Sequence, residues 1–298
     1  VDTIEYIVVN ETAQNVIGLQ SGMLDVSQYV PTEDIARFED GGESADIYDV
    51  RSVPVGEGYF ITANCSDSSA FADENLRKAV YYAIDNEAIV TAVGGGMHAC
   101  KAFASPIYAD YVEAWENEET YFNTCDLELA KEYLAKSSYN GEKLVLLGCN
   151  DATYETILTV IQGCLLQLGV NVEIQALETA QVQSLSADKN SWDLYVVKYG
   201  GPSVIGAANK LVNWNEYNGE YALGFITDPD LQALYETAVT EATWNDDTMT
   251  DLFNHIVEHA YDYTLVYNDF NVVYNSDVND IYVWDAYLLP HCFIYNLD

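Results

Sequence analysis

Basic residues are scarce in this sequence: 11 Lys and Arg stand against 48 Asp and Glu in 298 residues, a formal net charge of -37. Such a surface repels phosphate backbones and anionic headgroups, which excludes nucleic acid and acidic membranes as partners. Long apolar runs are missing too, because charge interrupts every hydrophobic stretch well short of the roughly 18 residues that a membrane span needs. The six cysteines, Cys65, Cys100, Cys125, Cys149, Cys164 and Cys292, show no CxxC or CxxH spacing, so no zinc cluster is expected. No signal peptide opens the chain either. Val1 leads straight into the strand-like run 4–9, as in either a cytoplasmic protein or a processed or truncated polypeptide.

What is present suffices for a packed core, with 49% hydrophobic and 13% aromatic residues. The first 66 residues alternate strand and helix. Strands are predicted over 4–9, 46–53 and 58–64, a helix capped by Thr12 runs to Leu19, and a short one follows Pro31 with Glu33 and Asp34 in its first turn. Asp73 opens a helix through Ile84, Asp85 caps another turn, and the glycines 94–96 stop it. Leu127 begins a further helix.

The clearest pattern lies between Lys143 and Val197. Strand 143–147 precedes a helix with the stripe Ile157, Val160, Ile161, Cys164, Leu165 and Leu168, closed by Gly169. Strand 170–174, another helix and strand 193–197 follow, an order that implies parallel βαβ crossovers. Ligands in such sheets bind outside the carboxyl ends of the strands, here 149–154 and 199–206. Tyr199, Gly200, Gly201 and Ser203 from one loop, and Asn150 and Tyr154 from the other, are therefore candidate ligand-binding residues. Trp214 joins them as an aromatic in a polar Gly/Asn-rich loop with no core stripe to explain it. The glycines would let a ligand approach the backbone. Two amphipathic helices (Leu231 to Val239, Leu252 to Ala260) and a strand-like tail complete the chain. Cys164 is expected to be a buried thiol on its stripe, and Cys100 with Cys125 flank a loop-rich stretch, the first pair to test for a disulfide.

Motifs of catalysis do not accumulate. His255 and His259 with Glu258 match H-x-x-E-H, but they lie at the edge of the Leu252/Ile256/Ala260 stripe as solvent-facing residues, and no distant acidic ligand is evident. Neither catalytic residues, nor a metal, nor a cofactor is expected. His98 and His291 have no Ser or Cys at a diagnostic spacing. Gly94–Gly96 trails a helix instead of opening one, so it is no phosphate cradle. Arg77, inside a helix, is expected to hold a structural ion pair rather than an anion.

Several segments in order resemble the family 5 solute-binding proteins, which include oligopeptide and dipeptide receptors. They are Gly18-Leu19-Gln20-Ser21-Gly22-Met23-Leu24-Asp25 with Val30-Pro31, then Asn64 followed by Phe71-Ala72-Asp73-Glu74-Asn75-Leu76-Arg77-Lys78-Ala79-Val80-Tyr81-Tyr82-Ala83-Ile84-Asp85, then 127–134, 161–174 and Asp193-Leu194. The resemblance covers the later half of such a protein. It implies a two-lobed α/β fold of the type II periplasmic-binding-protein kind with mixed or parallel sheets and the N-terminal part missing. Residues 1–66 and 279–298 would belong to a first lobe and 67–278 to a second. The implied function is the substrate-binding component of an ABC importer, capturing a solute, foremost an oligopeptide, between its lobes and passing it to permease subunits. The implied location is extracellular or periplasmic, with membrane attachment only through an N-terminal lipid anchor. Peptide-binding members carry an acidic residue after the strand matched by 193–197, where this chain has Lys198-Tyr199-Gly200-Gly201-Pro202-Ser203, and dipeptide binders carry an Arg where Cys149 to Tyr154 stand. Oligosaccharide or another non-peptide solute is thus the alternative within the class, and a secreted hydrolase or surface adhesin the alternative outside it.

Overall fold

The structure is a computed structural model that describes residues 3–9, 13–28, 30, 32–102, 105–108, 110–117, 125–200, 203–213 and 222–278. Thr12, Pro31, Gly201, Trp214, Cys292 and the tail 279–298 therefore lie outside the described residues. In chain order the elements are α1 (Ala13–Gln20), β1 (Val26–Ser27), β2 (Tyr48–Ala63), α2 (Glu74–Ala83), α3 (Asn86–Val93) and β3 (Met97–Ala99). There follow α4 (Leu127–Lys136), β4 (Leu144–Cys149), α5 (Ala152–Leu168), β5 (Val172–Leu177), α6 (Thr179–Ser186), β6 (Leu194–Gly200) and α7 (Val204–Asn213). Pro229–Ala238 forms α8, Asp246–Glu258 forms α9, and Asp262–Asn275 forms β7.

These elements make two compact units, one of residues 1–55, 93–98 and 268–298, the other of 56–92 and 99–267. The expected limits, 66 and 278, fall later along the chain. β2 and β7 are single long strands that run through the change of unit; the sequence suggests a break in the first, between 53 and 58, and reads 265–273 of the second as continuous. Pro54 does not interrupt β2; proline forfeits one N–H but suits an extended backbone.

The larger unit carries the predicted βαβ order. β4 lies between β5 and β6, parallel to both, and β2 pairs antiparallel with β6 from Glu57↔Gly200 to Ala63↔Leu194. β4 is apolar nearly throughout because a central parallel strand is covered on both faces. Its Gly148 lies close under α5: a Cβ there would stand 2.9 Å from Leu158 Cδ1, so that side chain would have to shift. α5 begins at Asp151, whose carboxylate accepts the Tyr154 N–H at 3.0 Å, and ends at Gly169 in the left-handed region at φ 92°. Ile157, Leu158, Ile161, Leu165 and Leu168 are buried along its stripe. Cys164 is half-buried at the stripe's edge instead of within it.

Residues of the recognisable sequence signature prove to be internal braces. Asn64 is fully buried; its amide donates to Lys189 O (2.8 Å) and Trp192 O (2.7 Å), while its carbonyl oxygen accepts from Ser66. Asp193 accepts from the Val145 N–H at 2.8 Å and the Ser69 hydroxyl at 2.6 Å. Arg77 is buried too, but its main partners are carbonyls, not the expected carboxylate. It donates to Phe71 O, Ala72 O and twice to His259 O, closing the end of α9, and Glu74 stands 4.0 Å away. A guanidinium has enough donors for all of these.

The smaller unit has a modest core of Val16, Leu19, Leu24, Val30, Ile35, Phe38, Tyr48 and Val273. β1 pairs antiparallel with the end of β7, and the Tyr48 hydroxyl donates to Leu19 O. The expected helix after Pro31 is a 3-10 helix, Thr32–Arg37. The expected strand 4–9 does not form over the described residues 3–9. A strand-like run alone makes no strand without a partner for its N–H and C=O groups.

Candidate functional site

The strand order of the larger unit selects a place. From β4 the chain crosses through α5 to β5 on one side, whereas β6 lies on the other side and leads away into α7. Successive connections diverge between β4 and β6, the kind of place where open α/β sheets hold ligands outside the carboxyl ends of their strands. The two strands pair only at Leu146↔Leu194 and Leu147↔Tyr195, so they separate toward those ends.

Tyr154, from the first turn of α5, fills this gap. It is 7% exposed, its hydroxyl accepts the Lys198 N–H at 2.7 Å, and its ring meets Tyr59 edge-on at 5.1 Å. Burial pushes its pKa far up. Tyr154 is therefore buried between the ends of these strands with its hydroxyl already engaged, where its place among the candidate contacts implied a hydroxyl open to ligand. Tyr199 is half-buried, with its hydroxyl donating to Gly206 O at 2.6 Å and its ring edge-on to Phe60. The Ser203 hydroxyl accepts the Gly206 N–H at 2.9 Å. Gly200 is the last residue of β6, opposite Glu57. Asn150 is exposed on the β4 side and donates to Glu178 Oε1 at 3.1 Å. Five of the seven sequence candidates thus gather at the ends of β4 and β6; Gly201 and Trp214 lie outside the described residues.

Four further residues belong to this rim. Lys198 pairs with Glu57 at 2.8 Å and lies over the Tyr59 ring at 5.6 Å. Glu178 joins through Asn150. Asp110, from the irregular stretch before α4, accepts the Val204 N–H at 2.7 Å and the Ile205 N–H at 3.0 Å. Its carboxylate occupies the amino end of α7, where the helix dipole favours a negative charge. The α7 amides are therefore closed to an incoming anion by the chain itself. No sequence period marks Asp110, and the Glu57–Lys198 pairing follows from antiparallel register, which the sequence does not display.

A cavity of about 310 Å³ lies elsewhere, lined by Leu211, Val212, Ile226, Asp228, Pro229 and Leu231 among others. It sits at the far end of α7, roughly 15 Å along a ten-residue helix from the rim. Asp228 beside it is committed to structure, capping α8 and accepting from Tyr261 at 2.8 Å. The histidines of the H-x-x-E-H motif are not the solvent-facing residues expected. His255 pairs with Asp228 at 2.7 Å and His259 with Glu74 at 2.9 Å, on two other elements. No group of three or more His, Cys, Asp or Glu among the described residues is arranged to hold a metal. Cys100 and Cys125 are not bonded to each other: Cys100 donates to Ala102 O at 2.9 Å and Cys125 to Ala83 O at 3.5 Å.

Residues 1–221 match the family described as bacterial extracellular solute-binding proteins, family 5, middle part. The chain belongs to that family. It is 24% identical to the oligopeptide-binding protein OppA of Bacillus subtilis over 208 residues, 65% of this chain and 34% of OppA. Its fold is that of the periplasmic binding proteins. The substrate-binding protein CtaP of Listeria monocytogenes superposes with a TM-score of 0.77 at 18% identity, over 91% of this chain and 55% of CtaP. The Escherichia coli murein tripeptide binding protein MppA gives 0.74 at 16% identity, over 89% of this chain and 52% of MppA. The chain thus spans about a third of OppA and about half of those solved structures.

Proposed function

We propose that the full-length protein is the extracytoplasmic receptor of an ABC importer and captures an oligopeptide between two lobes, with the rim of β4 and β6 forming part of the grip. It delivers that ligand to permease subunits and acts from the outer face of a membrane, held there by an N-terminal lipid anchor. Family membership supports the receptor role, and the oligopeptide follows from relatives named for peptide ligands. One observation shapes how the ligand is held: two of the rim's charged residues, Lys198 and Asp110, are already engaged within the chain, and Glu178 accepts from Asn150. Lys198 is bridged by Glu57, and Asp110 closes the amino end of α7. A terminal carboxylate therefore finds no unpaired partner at these residues. The ligand is held instead by main-chain hydrogen bonds beside Gly200 and Gly201 and by aromatic faces, Tyr199 and Trp214 among them.

Thermal denaturation of the full-length protein against a set of uncharged and terminally blocked peptides tests this. A ligand at a hundredfold excess over its Kd should add about 2.7 kcal/mol of stability. Asn150→Ala and Trp214→Ala should remove most of that gain and leave the ligand-free melting temperature within about 2 °C. If oligosaccharides stabilise the protein and no peptide does, the peptide reading fails. If both variants bind peptide like the parent, the rim is not the site.

A further inference from the structure

The short connection between α2 and α3 collects two thiols from distant parts of the larger unit. Cys125, just ahead of α4, is exposed, and its Sγ lies 3.5 Å from the Ala83 carbonyl. Its position is pinned, because the Asp126 N–H donates to Tyr82 O at 2.8 Å and the Tyr82 and Tyr133 rings stack at 5.8 Å. Cys164 comes from α5, is half-buried, and its thiol meets the backbone N–H of Asp85. The carbonyl of residue 83 and the amide of residue 85 lie within about 5 Å of each other in any backbone conformation. Both sulfurs therefore rest on one small patch of main chain.

We propose that Cys125 and Cys164 form a redox pair that closes to a disulfide in the oxidising surroundings of an extracellular protein. The other described thiols are poor candidates. Cys65 is half-buried, its thiol donates to Ala63 O at 3.6 Å and desolvation raises its pKa to about 11, while Cys100 is 1% exposed with its thiol on Ala102 O. Cys149 is buried as well. Buried thiols are inert, whereas an exposed one meets oxidant first. The oxidant is a small-molecule disulfide such as oxidised glutathione. The Cys125 thiolate attacks one of its sulfurs and expels one glutathione thiolate. The Cys164 thiolate then attacks the Cys125 sulfur of that mixed disulfide and expels the second. The protein loses two electrons and two protons, and one glutathione disulfide becomes two thiols. Burial, Asp85 and Cys164 all hold the Cys125 thiol above its ordinary pKa, so closure is slow near neutrality and quickens as pH rises. Closure ties the start of α4 to the middle of α5 across a loop of roughly 40 residues, which constrains the unfolded chain.

The test is a non-reducing tryptic map of the full-length protein after oxidation with glutathione disulfide and alkylation of remaining thiols. Peptide 102–131 contains Cys125 alone, 144–189 contains Cys149 and Cys164, and 79–101 contains Cys100. The expected product joins 102–131 to 144–189, persists in Cys149→Ser and vanishes in Cys164→Ser. Oxidation should also raise the melting temperature of the parent by about 5–10 °C and leave Cys125→Ser unchanged. A cross-link from 102–131 to any other peptide overturns the proposal, as does one that survives in Cys164→Ser. So does recovery of both thiols fully alkylated after prolonged oxidation at pH 8.5.

Discussion

The two compact units draw on similar apolar sequence and use it differently. In the larger, Leu146, Leu147, Ile157, Ile161, Phe60, Ile61, Leu76 and Val80 are all at most 1% exposed. The smaller has the eight-residue cluster around Leu19 and Phe38 and leaves Val8 87%, Ile17 64% and Tyr6 62% exposed, where the much longer larger unit leaves Leu166 70% and Trp244 49% exposed. The larger unit contains both members of each packing pair: α5 has β4 beneath it, and β4 has a strand on either side. In the smaller unit the segment 3–9 is apolar from Tyr6 to Val9 and meets no strand. Patterning tells which face wants burial. Whether burial occurs depends on what else the same chain supplies.

That contrast breaks most visibly at the buried ion pair of the larger unit. Lys210 Nζ stands 2.8 Å from Asp262 Oδ2, both side chains are wholly buried, Thr62 donates to the same carboxylate, and the ammonium lies 3.4 Å from the centre of the Phe60 ring. Asp262→Ala strands the Lys210 charge and should cost about 3–5 kcal/mol in chemical denaturation. The double variant Asp262→Ala with Lys210→Met should recover much of that loss. A single-variant cost below about 1 kcal/mol would mean that water reaches the pair.

Cavity-forming substitutions sharpen the comparison. Ile161→Ala, from the centre of α5, should cost about 3–5 kcal/mol because its neighbours are fixed from several sides. Leu19→Ala in the smaller unit should fall nearer about 2–3 kcal/mol, since a shallow cluster collapses more readily around the gap. Equal costs would show that the smaller core is as firmly framed as the larger.

Acid should loosen the larger unit through Asp228. Hydrogen bonds from His255 and Tyr261 and from the α8 amides outweigh burial and bring its pKa from 3.8 to about 2. A carboxylate whose folded pKa is depressed stabilises the fold above its unfolded pKa, and that contribution disappears as pH falls from about 4 toward 2. Asp228→Asn should flatten this part of the stability-versus-pH curve and cost about 1–2 kcal/mol at pH 7, with less difference from the parent at pH 2. An unchanged slope between pH 4 and 2 would assign the acid sensitivity to other groups.

Much of the larger unit was legible in the sequence because its signals are local. The α5 stripe, Gly169 in the left-handed region, and the cap Asp73 each act within a few residues. The strand-end rule then located the rim from chain order alone. What escaped was long-range. Asp110 meets Val204 across 94 positions, and Lys198 finds Glu57 only through the β2–β6 register. Tyr154 was visible as a residue beyond a strand end, but its inward turn depends on how far β4 and β6 separate. His255 and His259 looked peripheral because their carboxylates come from α2 and the start of α8. The segment 4–9 had the pattern of a strand and lacked the partner that pattern assumes.

The smallest expected effect tests that last point. Val8 is the most exposed large apolar residue among those described, on a segment with no strand pairing. Val8→Ser uncovers little, because Val8 is 87% exposed, so stability of the 298-residue chain should change by no more than about 0.5 kcal/mol. Ile17→Ser, at 64% exposure on α1, should behave alike, apart from a small loss of helix propensity. The same substitutions in the full-length protein give the contrast its edge. Where additional polypeptide covers this side of the smaller unit, burial of Val8 would be worth about 1.5–3 kcal/mol, and its loss would appear as a lower denaturation midpoint. A cost above about 1 kcal/mol in the 298-residue chain itself would mean that residues 3–9 are packed after all. The smaller unit would then hold its own apolar surface as fully as the larger one does.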